Sequence, residues 1–144
     1  KLVSTVRQQA KQLAKAMMSD WIITDGPPGT GCAVIASITG ADAVLVVTEP
    51  TLSGQHDLLR VLELTQFFKM SAFVCINKWD INPKQSQEIE AAAAAAGAII
   101  LDRVPYDKSI TEAQIQGVSV VEMNAGPAST AIRNLWGNLC QKMK

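Results

Sequence analysis

Four short apolar runs, each bounded by turn residues, are the most regular feature of the chain. They cover Trp21–Asp25, Ala43–Thr48, Ala72–Asn77 and Ala98–Asp102, and β-branched residues are frequent in them. Continuous rather than alternating hydrophobicity is typical of strands that are buried on both faces of a parallel sheet. The pattern therefore predicts four strands in a mostly parallel sheet.

Helical periodicity precedes, separates and follows these runs. The opening segment has apolar residues at intervals of three and four, which predicts an amphipathic helix. These residues are Val3, Val6, Ala10, Leu13 and Met17. Further helices are predicted over Gln55–Lys69, Pro83–Ala96 and Thr130–Met143.

The helix over Pro83–Ala96 has the clearest end signals. Asn82 is placed as its N-cap, Pro83 stands at its first position, and Gly97 follows its last residue. Strands that alternate with helices at this spacing form βαβ units. We therefore expect an α/β fold of three layers, with helices on both faces of the sheet.

Composition limits the classes of binding partner and the cellular compartment that are expected for this chain. Of 144 residues, 48% are hydrophobic, and thirteen basic residues balance thirteen acidic ones without forming a cluster. A nucleic-acid surface would show a basic patch, and a membrane span needs about 20 apolar residues, so neither partner is expected. Cys32, Cys75 and Cys140 are odd in number and far apart, as in reduced cytosolic thiols. The sequence thus predicts a cytoplasmic protein whose last helix packs on the sheet.

Polar and glycine-rich residues collect where the predicted strands end. These segments are Asp25–Gly31, Thr48–Pro50, Asn77–Asp80 and Pro105–Asp107. Open parallel sheets bind ligands beyond the carboxyl ends of their strands. The four segments are therefore the candidate site.

The loop Gly26–Gly31 nearly spells the phosphate-binding pattern GxxxxGK[ST]. Cys32 and Ala33 stand where the lysine and the hydroxyl residue would be, so the loop cannot reach the β- and γ-phosphates or ligate Mg²⁺ in the usual way. A degenerate phosphate loop and a tight turn without a ligand both stay open. A third interpretation is a switch region, in which Asp25 holds Mg²⁺ through a water and the Gly29 amide senses the γ-phosphate.

Asn77-Lys78-Trp79-Asp80 matches NKxD, the base-recognition motif of G proteins. In that role the asparagine orients the loop, the lysine stem stacks on the base, and the aspartate accepts hydrogen bonds from guanine. A plain loop is the alternative. Trp79 is either a stacking platform for the base or a surface aromatic residue.

Taken together, the blocks DGPPGTG, VTEPTLSG, CINKWD and VPYDKS carry a family resemblance. Over nearly its whole length the chain is similar to the MinD/ParA/Mrp superfamily of deviant-Walker P-loop ATPases. It looks most like the branch whose members carry an inserted ferredoxin domain. The resemblance implies a P-loop NTPase fold, ATP and Mg²⁺ as cofactors, and a homodimer that forms over nucleotide.

The resemblance also implies roles for individual residues. Asp25 and Gly29 would serve catalysis, and Asp25 would hold Mg²⁺ through a water. Glu49-Pro50-Thr51 and Asp57 would line the dimer face. The implied nucleotide-binding residues are Asp25, Gly26, Pro28, Gly29, Thr30, Gly31, Glu49, Asn77, Lys78, Asp80, Pro105 and Asp107.

Two features of this family are absent from the sequence. There is no KGGxGK[ST] loop, and no CxxC from which an iron–sulfur centre could be built on this chain alone. We therefore expect residues 1–144 to form a single domain that is the C-terminal portion of a P-loop NTPase domain, with any ferredoxin-like insert upstream. If the phosphate-loop strand normally lies between Trp21–Asp25 and Ala43–Thr48, we expect direct pairing, a swapped partner or another chain to close the gap.

These observations predict a nucleotide-binding portion of an ATPase that supplies the switch loop and the base pocket but does not hydrolyse ATP alone. Two alternatives stay open. One is a GTP-binding protein that uses the NKWD motif, and the other is an Mrp-like iron–sulfur carrier or scaffold.

Overall fold

A computed structural model describes the backbone of residues 2–143 and the side chains of residues 5–143. The chain divides into two compact units, Lys1–Asp42 and Ala43–Lys144. The first unit contains α1 (Leu2–Met17) and α2 (Cys32–Ile38). The second contains β1 (Ala43–Thr48), α3 (Leu52–Phe67), β2 (Ser71–Asn77), a 3₁₀ turn (Trp79–Ile81), α4 (Pro83–Ala95), β3 (Ile99–Val104), α5 (Lys108–Ile115), α6 (Val120–Met123) and α7 (Gly126–Lys142).

In the first unit α1 confirms the predicted opening helix, although the side chain of Val3 lies outside the described ones. Arg7 of α1 donates to the carbonyl oxygens of Ala36, at 3.3 Å, and of Thr39. These carbonyls lie at the C-terminal end of α2, where a cation is favoured by the helix dipole. The arginine therefore ties the two helices together.

The segment Trp21–Asp25 is not a strand, so the prediction of a strand here was wrong. Trp21, Ile22 and Ile23 are 40%, 45% and 77% exposed. Among the described residues the sheet consists of β1, β2 and β3. Whether direct pairing, a swapped partner or another chain closes the gap beside Ala43–Thr48 stays a prediction.

The second unit contains the parallel sheet that the other three apolar runs predict. Its strand order is β1-β2-β3, and both pairs of strands are parallel. Val74 in the central strand lies opposite Val46 of β1 and Ile100 of β3. The α/β class with a parallel sheet is confirmed, with three strands instead of four.

Helices cover both faces of this sheet. On the face covered by α3 and α4, Leu62, Val74 and Ile89 are fully buried. On the opposite face Cys75 and Val104 pack against Ala128 of α7, beside the partly buried residues Ile110, Ala131, Ile132 and Leu135. The predicted three layers and the packing of the last helix on the sheet are thus both confirmed.

Short polar caps set several helix boundaries. Asn82 Oδ1 accepts from the Gln85 amide at 3.2 Å, which confirms the predicted N-cap of α4. Helix α3 begins earlier than predicted because Thr51 Oγ1 accepts from the Gly54 amide at 2.9 Å. Helices α5 and α6 were not predicted, although Ser119 and Glu122 form a capping box that the S-x-x-E spacing signals.

One irregularity in the sheet changes which way the end of β3 faces. Val74 lies opposite Ile100, but Ile76 lies opposite Arg103, so β3 contains one residue more than β2 between these positions. An extra residue of this kind shifts every later side chain to the other face of the sheet. Accordingly Asp102 accepts a hydrogen bond from Asn138 of α7, whereas Arg103 reaches α4. We call this feature the β3 register shift.

Candidate functional site

Three loops follow the carboxyl ends of the strands in the second unit, and together they form what we call the strand-end edge. The loop after β1 carries Glu49, the loop after β2 carries Lys78 and Asp80, and the loop after β3 carries Asp107. The predicted residues Asn77 and Pro105 lie at the same edge and are partly buried. Side-chain hydrogen bonds connect the loops in pairs.

The first connection joins Lys78 to Glu49. Lys78 Nζ lies 2.6 Å from Glu49 Oε1, and the two side chains are 38% and 49% exposed. Such a partly exposed pair stabilises the fold only weakly because water and salt screen it. Its importance is geometric, since it links the loops after β1 and β2.

The backbone of Lys78 is itself unusual. Its φ of 53° lies in the left-handed region, which costs energy for a residue with a side chain. Among the described residues, Met18, Lys69 and Asn124 share this conformation, but they lie at or near helix ends, where it is common. Lys78 instead follows a strand directly, so its strain marks the NKWD turn as a candidate functional feature.

The second connection joins the loops after β2 and β3. Asp80 Oδ1 accepts from the backbone amide of Tyr106 at 2.7 Å. The carbonyl oxygen of Trp79 accepts from Ser86 Oγ at 2.9 Å, and Ser86 is completely buried. The NKWD turn is therefore held by α4 and by the loop after β3 at the same time.

Asp107 joins two helices. Its Oδ1 accepts from the Ser109 amide at 2.9 Å and its Oδ2 from the Ala128 amide at 3.0 Å, so the carboxylate caps α5 and holds the first turn of α7. The hydrogen bond from Ala128, followed by those from Ser109, lowers the pKa of Asp107. Both oxygens of this predicted site residue are thus engaged by backbone groups of its own unit.

Arg103 and Glu90 form a two-point pair beside the NKWD turn. Arg103 Nε lies 2.6 Å from Glu90 Oε1, and Nη2 lies 2.5 Å from Oε2. The hydrogen bonds to Glu90 raise the pKa of the Arg103 guanidinium further, so the arginine stays charged. The guanidinium carbon also lies 5.2 Å from the centroid of the Trp79 ring. Trp79 is therefore partly buried under a cation and is not a free surface aromatic residue.

The remaining predicted site residues belong to the first unit. Asp25, Gly26, Pro28, Gly29 and Gly31 are exposed and Thr30 is partly buried. Gly29 has a φ of 87°, which a residue with a side chain adopts at a cost. The Gly31 carbonyl accepts from the amides of Val34 and Ile35, at 2.9 and 3.2 Å, and so begins α2.

A groove of about 420 Å³ lies beside Asp25 within the first unit. Its lining is mostly apolar, with contributions from α1, the loop and α2. The lining includes Val6, Ala10, Ile22, Ile23, Asp25 and Pro27. The carboxylate therefore lies next to an open concave surface.

Two general features of the described part bear on ligands. Within residues 2–143 no group of three or more His, Cys, Asp or Glu side chains is arranged to hold a metal ion. None of the helices in that range combines the length and apolar character needed to cross a bilayer. Of the thiols, Cys32 is exposed and Cys75 is buried, and burial raises the pKa of Cys75 to about 11.

Sequence analysis missed Arg103 and Glu90, and it placed Tyr106 in the candidate segment Pro105–Asp107 without a role for its backbone amide. The amide of Tyr106 carries no side-chain signal, and no motif signals Arg103 and Glu90. Only the β3 register shift brings this pair to the NKWD turn, and a register shift has no marker such as glycine in Ile99–Val104.

The chain is similar to known proteins in sequence and in structure. No protein-family profile matches the chain. An uncharacterised protein of Methanocaldococcus jannaschii is 36% identical over 75 residues, which are 52% of this chain and 27% of that protein. The iron–sulfur cluster carrier protein of Pyrococcus furiosus is 28% identical over 158 aligned positions, covering 98% of this chain and 53% of that protein. An uncharacterised ATP-binding protein of M. jannaschii is 24% identical, covering 92% of this chain and 51% of that protein.

Solved structures of MinD and ParA proteins have the same fold as this chain. MinD of Aquifex aeolicus superimposes with a TM-score of 0.80 at 22% identity, covering 96% of this chain and 61% of that chain. The ParA family ATPase of Chlorobium tepidum superimposes with a TM-score of 0.67 at 26% identity, covering 82% of this chain and 50% of that chain. The chain thus has the fold of MinD and ParA proteins and is similar in sequence to an iron–sulfur cluster carrier protein and to an ATP-binding protein.

The chain spans only part of the length of its relatives. It covers 27% and 34% of two uncharacterised M. jannaschii proteins and 53% of the P. furiosus carrier. The MinD protein of Pyrococcus horikoshii, with a TM-score of 0.69 at 19% identity, was solved in complex with Mg-ADP and is covered to 52% of its length. That MinD protein therefore binds a nucleotide and Mg²⁺.

Proposed function

We propose that the chain is the part of a MinD/ParA-like ATPase that binds the base of ATP at the strand-end edge. One observation carries the proposal: the loops after the three parallel strands are joined there by Lys78–Glu49 and by Asp80–Tyr106. Parallel sheets bind ligands at this edge. The strained backbone of Lys78 supports the same assignment.

The geometry favours adenine over guanine. In NKxD recognition the aspartate accepts hydrogen bonds from guanine, but here Asp80 Oδ1 already accepts from the Tyr106 amide. A guanine would have to share that oxygen with a fixed backbone donor. Lys78, Asn77 and Pro105 complete the proposed base pocket.

The Gly26–Gly31 loop is the proposed switch. Asp25 presents an exposed carboxylate, and Mg²⁺ commonly binds through one or two carboxylates with phosphate and water ligands, so the residue fits the role. Mg²⁺, when bound, neutralises charge on the phosphates. Gly29, which is exposed and has a φ of 87°, would contact the γ-phosphate through its backbone amide.

Several properties of the whole protein follow from this proposal. We expect no ATP turnover by the chain alone, because it contains no phosphate-loop lysine in a KGGxGK[ST] pattern. We also expect a cytoplasmic homodimer with Glu49, Thr51 and Asp57 on its dimer face, whereas Pro50, predicted for the same face, is buried within its own chain. Light scattering with and without Mg-ATP tests the dimer.

Calorimetric titration of the chain with Mg-ATP and with Mg-GTP tests the base pocket. Mg-ATP should bind more tightly and should raise the unfolding free energy by about 2.7 kcal/mol at a hundred times its Kd. Asp80→Asn should weaken ATP binding by about tenfold, because the carboxylate that holds the Tyr106 amide loses its charge.

The matched control is Asp102→Asn, which makes the same chemical change at a carboxylate bonded to Asn138 of α7. It should change affinity by no more than about twofold. Absence of binding by either nucleotide, or equal effects of the two substitutions, would contradict the proposal. Tighter binding of Mg-GTP would assign the pocket to guanine.

The iron–sulfur carrier relative supports a second candidate function, because its alignment covers 98% of this chain. Here the chain would be part of a carrier or scaffold in which the nucleotide switch controls a cluster. Iron and sulfide analysis of the longer protein after anaerobic reconstitution tests it, because this chain alone contains no CxxC. Absence of bound iron and sulfide from that protein would contradict this candidate.

A further inference from the structure

The β3 register shift places an arginine where a regular strand would place an aspartate. Ile100 packs on the face covered by α3 and α4, so regular alternation would return Asp102 to that face and put Arg103 on the other. The structure shows the reverse, with Asp102 bonded to Asn138 of α7 and Arg103 bonded to Glu90 of α4. One extra residue in β3 thus exchanges the positions of a negative and a positive charge.

Arg103 is held rigidly in that position. Its guanidinium makes two parallel hydrogen bonds to Glu90, at 2.6 and 2.5 Å, a geometry that fixes both planes. The two side chains are 32% and 20% exposed, so the pair is better shielded than the other ion pairs of the described part. The same guanidinium lies 5.2 Å from the centre of the Trp79 ring.

Trp79 transmits this constraint to the NKWD turn. Its ring packs against the core between the sheet and α4, and its carbonyl accepts from the buried hydroxyl of Ser86. The next residue is Asp80, whose carboxylate holds the Tyr106 amide at 2.7 Å. A shift of the Trp79 ring would therefore move the backbone that carries Asp80.

We propose that Arg103, oriented by Glu90, is a positioning residue for the base pocket: it fixes Trp79 and through it the contact of Asp80 with Tyr106. This inference rests on the proposed nucleotide site, which it deepens. The competing account is an ion pair that joins β3 to α4 and stabilises the fold without affecting the turn.

The experiment uses the 144-residue chain with Trp21→Phe and Trp136→Phe, which leaves Trp79 as its one tryptophan. Arg103→Met removes the charge and Arg103→Lys keeps it without the two-point geometry. Lys84→Met is the matched control, because Lys84 pairs with Glu88 on α4 at 3.9 Å and is 88% exposed.

Three readouts separate positioning from stability. They are the emission of Trp79, the hydrogen exchange of the Tyr106 amide, and the affinity for Mg-ATP. The amide of Ala128, which donates to Asp107 at 3.0 Å, serves as the internal reference for exchange at a site remote from Arg103 along the chain.

Arg103→Met should shift the Trp79 emission and accelerate exchange at Tyr106 but not at Ala128. It should weaken Mg-ATP binding by about threefold to tenfold, because loss of a cation–π contact changes a dissociation constant by about that factor. Arg103→Lys should restore part of the affinity, and Lys84→Met should change none of the readouts.

The inference is overturned if Arg103→Met lowers the unfolding free energy but leaves Tyr106 exchange and affinity equal to those of Lys84→Met. It is also overturned if exchange accelerates equally at Tyr106 and Ala128, since that reports global loosening. If the parent chain binds no nucleotide, the proposed function fails separately, while selective acceleration at Tyr106 still supports the positioning of the turn.

Discussion

Gly126, the first residue of α7, allows the Asp107 carboxylate to reach that helix. Its φ is 73°, and a Cβ built on it would lie 2.1 Å from Asp107 Oδ2 and 2.6 Å from Ser109 Oγ. Real Cβ atoms essentially never approach another atom within 3.0 Å, so Gly126→Ala must displace the carboxylate. The substitution should therefore release the link between α5 and α7.

The loss of unfolding free energy in Gly126→Ala has two contributions, which Gly117→Ala separates as a control. Gly117 has nearly the same φ, 71°, but a Cβ there meets nothing within 4 Å. A left-handed alanine costs about 1–2 kcal/mol at either site. Overpacking adds about 1–3 kcal/mol at Gly126 alone. Urea unfolding followed by circular dichroism should therefore show a larger loss for Gly126→Ala, by that second amount.

Acid titration gives an independent check. Because hydrogen bonds from Ala128 and Ser109 lower the pKa of Asp107 in the folded state, its contribution to stability is present at neutral pH. That contribution is lost as the pH falls through the lowered pKa. Gly126→Ala should reduce this acid-dependent loss, whereas Gly117→Ala should keep it. Equal stability losses and equal acid profiles for the two variants would refute the structural argument.

Two further predictions concern the core. Ile89→Ala should lower the unfolding free energy by about 2–5 kcal/mol, because Ile89 is 0% exposed between α4 and the sheet. Phe67→Ala should lower it far less, because that side chain is 78% exposed. Urea unfolding of both variants tests this. Burial raises the pKa of Cys75 to about 11, so stability should decline as the pH rises toward that value. Cys75→Ala should flatten that decline, and a thiol reagent should label Cys32 at once but Cys75 only on unfolding; equal labelling rates would contradict the burial.

Local signals predicted much of the fold. The run Ala43–Thr48 is a strand with the predicted bounds, and Asn82 caps α4 as expected, because these features depend on neighbouring residues. Trp21–Asp25 has an equally strong strand composition, yet it is not a strand. Strand formation depends on a neighbour that composition does not reveal.

The candidate site was predictable to a similar extent. The positions of Glu49, Lys78 and Asp80 at the strand-end edge follow from topology, since parallel strands end on one side of the sheet. The role of Asp107 as a cap for two helices depends on a long-range approach of α7, which residue spacing does not encode. Arg103 was missed for the same reason, because its face is set by pairing with β2.

The β3 register shift has a consequence for how mutations and relatives are compared. A strand of six residues, Ile99–Val104, is short enough that a single inserted or deleted residue leaves its hydrophobic character unchanged. Deleting Leu101 would remove the shift and leave Asp102 and Arg103 on their present faces, whereas regular pairing of the undeleted strand would turn Asp102 toward α4 in place of Arg103. When this strand is aligned with the corresponding strand of a relative, the residues whose side chains face α4 should be matched with one another. Matching by sequence position alone would pair residues of opposite charge.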